Sequence, residues 1–152
     1  MSGTAVAPAD LEDSRARQLA RLRGASMGAM VMLILQYALG IGVNLYVTLH
    51  KGGLSEAFKN GPLLILHTIL GVLLILAAIG LLVRAIIARH RAVIIASAVG
   101  LVAIVAAAGS GVSFVNSGTA GASLGMALAT AVAFLCYTVC LFILGWPARS
   151  HA

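Results

Sequence analysis

Residues 62–87 read PLLILHTILGVLLILAAIGLLVRAII, an apolar run of membrane length with a single titratable side chain, His67, well inside it. From Leu63 to Val83 the rest is Leu, Ile, Val, Ala, Gly and one Thr. At 1.5 Å per helical residue this run covers the roughly 30 Å hydrocarbon core of a bilayer, so a transmembrane helix is predicted. Pro62 suits its first position, where no amide hydrogen bond is lost.

Composition carries the same reading to the whole chain. Of 152 residues, 61% are hydrophobic and 9% charged, whereas a soluble domain has about 45–50% apolar and about 25% charged residues. The four acids, Asp10, Glu12, Asp13 and Glu56, lie outside the apolar runs, as does every Lys and Arg except Arg84 near one end. That placement follows the cost of charge in hydrocarbon. The net charge of +6 therefore belongs to the membrane faces, where it meets anionic headgroups, and a nucleic-acid partner is excluded because no separate basic domain exists. The expected partners are the lipid bilayer and other membrane-protein subunits.

Outward from the central run, three more spans are predicted, at about residues 25–49, 92–111 and 122–146, with the central one at 62–86. The first carries Gln36, Gly40 and Asn44 four residues apart, so they share a face that should look into the bundle. More than half of Arg91 to Gly111 is Gly, Ala or Ser, which predicts an interior third helix packed closely by neighbours. In the fourth, Gly121, Gly125, Ala129 and Ala133 form a small-residue ridge, and Trp146-Pro147 ends the span at the interface. Ser113 to Gly121 reads as a turn. Leu54, Ala57 and Phe58 suggest a short amphipathic turn on the membrane surface.

Residues 1–24 form a polar tail, either disordered or a short interfacial helix with Leu11, Leu19 and Leu22 on one stripe. A second short tail covers 147–152. Arg15, Arg17, Arg21, Arg23, Arg84, Arg89, Arg91 and Arg149 fall on one side of the spans and Lys51 and Lys59 on the other, so both termini should be cytoplasmic in a bacterial plasma membrane. Short connections make successive helices antiparallel neighbours. The expected fold is all-α, an integral membrane up-down-up-down four-helix bundle.

Depth selects which polar residues can meet. His67 is five residues inside Pro62, and counting back from Leu49 reaches the same depth at Asn44. Ser113 and Asn116 lie slightly shallower and Gln36 deeper. The expected site is thus a polar layer of His67, Asn44, Asn116, Ser113 and Gln36 in the extracytoplasmic leaflet.

The segments Gly40-Ile41-Gly42-Val43-Asn44-Leu45-Tyr46, His67-Thr68-Ile69-Leu70-Gly71 and Ser113-Phe114-Val115-Asn116, with a Cys-Tyr-containing fourth span, resemble a group of small actinobacterial four-span membrane proteins. That resemblance covers Gly24 to Trp146 and implies the topology and the polar layer. A His near one end of a span with Gly four residues on is also similar to haem-binding four-helix membrane proteins, the haem-b membrane cytochromes and haem A synthase. Those pair their histidines, and this chain departs from that pattern.

His67 is read first as an intramembrane residue hydrogen-bonded to an amide, since buried polar groups find partners. The alternative makes it an axial ligand of haem b, with Met126 at matching depth as a second ligand. Cys136, Cys140, Met27, Met30 and Met32 form a third set, soft enough for copper(I), although such residues more often fill cores. No carboxylate lies within a span, and no HExxH, GxSxG or phosphate-binding loop occurs. The expected function is non-catalytic: an accessory or assembly subunit, or a binder of an apolar ligand with no cofactor. A haem- or quinone-binding electron-transfer protein using His67 is the alternative.

Overall fold

The computed structural model describes residues 8–46 and 61–145, with side chains from residue 12. These residues form four helices, α1 (Pro8–Tyr46), α2 (Pro62–Ile87), α3 (Arg91–Ser117) and α4 (Ala120–Gly145), and no strand. All four are long and apolar enough to cross a membrane. The expected turn at Leu54 to Phe58, the lysines of that loop, Trp146-Pro147 and both chain ends lie outside the described residues.

Local chemistry explains where the helices stop. Pro62 opens α2 after Gly61, whose carbonyl accepts the amides of Leu64 and Ile65. At its other end Arg89 takes φ 53°, and the His90 amide reaches back to the Ala85 carbonyl at 3.3 Å. A left-handed residue past the last turn lets orphan carbonyls find donors. Gly118 does the same for α3, with φ 63° and its amide donating to Phe114 at 2.7 Å.

Two boundaries differ from the sequence reading. Pro8 to Arg23 is no separate tail but continues without a break into the first span, giving a 39-residue helix, about 58 Å long. Good helix formers such as Ala, Arg, Gln and Leu fill that stretch, and α1 propagates through them at no new nucleation cost. The turn expected from Ser113 to Gly121 shrinks to Gly118 and Thr119. Ser117 Oγ donates to the Ser113 carbonyl at 2.7 Å, so polar residues that favour turns are held in the helix instead.

The helices pack in a ring: α1 on α2, α2 on α3, α3 on α4, and α4 back on α1, with no contact across either diagonal among the described residues. The third helix is therefore a corner and not a centre. One face of it, Val93, Ser97, Gly100, Ala103 and Ile104, is buried, while Ile95, Val99, Val102 and Val105 point outward. Its small residues serve one seam. A Cβ at Gly100 would lie 3.1 Å from Tyr137 Cζ and 3.3 Å from Cys136 Cβ, and one at Gly125 would lie 3.1 Å from Ser110 Oγ. Close backbone approach of this kind makes α3–α4 the most intimate pair.

The core is uneven along the bundle. Leu22, Ala29, Leu33, Leu74, Ala78, Leu81, Ala85, Val93, Ile104, Ala133, Tyr137 and Cys140 all sit in the half that contains the N-terminal part of α1. In the other half Leu64 is the one buried large hydrophobic among the described residues. That less tightly packed half holds the polar site.

Candidate functional site

Gln36 and His67 meet across the α1–α2 seam. The Gln36 side-chain amide donates to His67 Nε2 at 3.2 Å. A neutral imidazole that accepts at Nε2 carries its proton on Nδ1. Both side chains are half-buried.

Two glycines make this approach possible. A Cβ at Gly40 would stand 3.2 Å from His67 Cε1, and one at Gly71 would stand 3.0 Å from Gln36 Nε2. Each helix thus offers a polar side chain and, four residues along, a notch that receives its neighbour's polar side chain. Gln36 and Gly40 share one face of α1, and His67 and Gly71 share one face of α2. Gly42 extends the seam, where a Cβ would lie 3.1 Å from Leu63 Cδ2.

The pairing is incomplete. His67 Nδ1 and Gln36 Oε1 are buried and take no hydrogen bond among the described residues. A buried polar group left unpaired costs about 1–3 kcal/mol. The single hydrogen bond therefore sits beside one open donor and one open acceptor.

The other members of the expected layer are elsewhere. Asn44, Ser113 and Asn116 are all exposed. For Asn44 there are two reasons. Positions four apart drift by about 40° around a helix, so Asn44 is rotated by about 80° from Gln36. The depth count also began at Leu49, beyond the described end of α1 at Tyr46; counted from Tyr46 it reaches Ile41, next to Gly40, whose Cβ position faces His67. Ser113 and Asn116 belong to α3, where they fall on its exposed side, away from the face that packs on its neighbours.

Met126 is also apart from His67. Its sulfur packs 3.6 Å from the Cβ position of Gly111 on the α3–α4 seam, on the far side of the ring from α1–α2. Nor are the soft residues gathered into one set: Met27 faces outward at 57% exposure, while Cys140 is fully buried. Both cysteines are free thiols.

The sequence reading missed two roles. Gly71, noticed there only for its four-residue spacing from His67, serves as the notch for Gln36. Tyr137 is fully buried against Gly100, with a hydroxyl that takes no hydrogen bond among the described residues. Its flanking cysteines drew attention instead. Compared with known proteins, the chain matches no family, and neither a curated protein nor a solved structure matches it.

Proposed function

We propose that this chain is a non-catalytic, four-span membrane protein that works by association, as an accessory or assembly subunit or by holding an apolar ligand between helices. The observation that carries this reading is the use of His67. The one histidine deep in an apolar run is spent on a helix–helix hydrogen bond with Gln36, and among the described residues no group of three or more His, Cys, Asp or Glu gathers around it.

Membrane insertion has its own support. Val31, Ile34, Leu35, Ile69, Val72, Leu76, Val102 and Leu135 face outward around the ring. Water would penalise such a surface, whereas lipid tails solvate it. The up-down-up-down arrangement is supported by the seams, since Gln36 stands opposite Gly71 and Gly40 opposite His67, which are opposite chain directions. The arginine-rich ends support a cytoplasmic location for both termini in a bacterial cell. Likeness to the small actinobacterial four-span proteins belongs to the same proposal.

With Cys136 and Cys140 replaced by Ala, a cysteine at Thr119 should react with an impermeant maleimide on intact cells, and one at Arg91 only after lysis. Labelling of Arg91→Cys from outside would overturn the orientation.

A second reading draws on the open His67 Nδ1–H, which would donate to a quinone carbonyl, and on the open Gln36 Oε1, which would accept from a quinol hydroxyl; haem would instead need His67 Nε2 released from Gln36. The purified protein separates the two. It should be colourless, with no haem absorption band and no extractable quinone. A band lost in His67→Ala would replace the associative reading with electron transfer.

A further inference from the structure

Beside the described end of α4 at Gly145, α1 and α4 border an open groove of about 570 Å³. Leu19, Arg23, Gly24 and Met27 of α1 line it, with Leu141 and Leu144 of α4. No atom lies within 4 Å of the Cβ position of Gly24, so the floor stays open. We infer that this groove binds one anionic phospholipid of the cytoplasmic leaflet, with an acyl chain along Met27, Leu141 and Leu144 and its phosphate on Arg23.

Charge selects the occupant. Among the described residues Arg23 is the one charged residue in the lining, and Arg15, Arg17 and Arg21 stand exposed on the same helix. The nearest acid in the sequence of α1, Asp13, is ten residues back, about 15 Å along the axis. A guanidinium with no carboxylate beside it takes a phosphate readily, and basic pockets between helices on the cytoplasmic side suit anionic headgroups. A second copy of this chain would bring the same arginines against themselves.

Depth agrees with a headgroup at this point. The register that sets Gln36 opposite Gly71 and Gly40 opposite His67, continued along the pair, brings Arg23 level with Arg84, the last charged residue of α2. Counted back from Tyr46, Arg23 stands just beyond the roughly 20 residues that a span needs. The apolar lining then falls on the hydrocarbon side and the guanidinium at the headgroups.

This inference rests on the membrane reading, and one set of experiments keeps the two apart. The full chain in a neutral detergent is titrated with phosphatidylglycerol, with phosphatidylcholine of the same chains and with inorganic phosphate, following thermal stability and the lipid retained in native mass spectrometry. Phosphatidylglycerol alone should stabilise. Arg23→Gln should weaken that response about five-fold, the equivalent of about 1 kcal/mol for one basic residue at an anionic surface. Gly24→Trp, which fills the groove, should abolish it, and Arg91→Gln, at the start of α3, should leave it unchanged. Equal stabilisation by both lipids, a response to phosphate alone, or an equal loss in Arg91→Gln would overturn the lipid site. Release of the protein from native membranes by alkaline carbonate would overturn the membrane reading instead.

Discussion

Gly100→Leu should be the most damaging single substitution in the bundle. Position 100 faces the ring of Tyr137 at 3.1 Å and the Cβ of Cys136 at 3.3 Å. Tyr137 is fully buried, and a Cβ atom next to backbone cannot swing aside. A leucine there must push α3 away from α4 along their closest seam, at about 1–3 kcal/mol or more. The readout is the fraction surviving as a monodisperse peak after graded heating in detergent. Gly109→Leu is the matched control, because its Cβ position has nothing within 4 Å, and it should melt close to the parent. Equal melting of the two variants would mean that the α3–α4 seam is wrongly placed.

The second large effect is expected at His67. His67→Leu removes the acceptor of the Gln36 amide and leaves that whole side chain unpaired at the seam, at a cost of about 1–2 kcal/mol. His67→Gln should be tolerated, because a second amide supplies both a donor and an acceptor. If Gln and Leu destabilise equally, position 67 requires an imidazole, and the associative reading loses its main support.

How much of this was legible in the sequence differs by feature. The four helices were readable because uninterrupted apolar runs of 20 residues or more have one solution, and Pro62 and Gly118 mark real ends. Residues 8–24 were not, because their polarity argues equally for a tail and for a helix that simply continues. The small residues of α3 correctly signalled close packing, but composition cannot tell one intimate seam from a central position. At the site, the sequence singled out His67 and Gln36 yet offered Asn44 or Asn116 as the amide partner of His67. An i, i+4 pattern hides its own 40° drift, and a depth count inherits any error in the helix end. The reciprocal fit of Gln36 over Gly71 and His67 over Gly40 is a property of two helices in register, which neither helix shows alone.

That fit is the centre of the account, and a double-mutant cycle on Gln36 and His67 tests it most directly. Stability is measured for the parent, Gln36→Leu, His67→Leu and the pair together, under one reversible denaturation in detergent. If the two side chains hold α1 to α2 through each other, each single change strands a polar partner, whereas the double change strands none. The double variant should then lose less than the sum of the singles, with a coupling of about 0.6–1.7 kcal/mol. Losses that add to within about 0.3–0.5 kcal/mol would mean that Gln36 and His67 act independently, and would contradict the clasp.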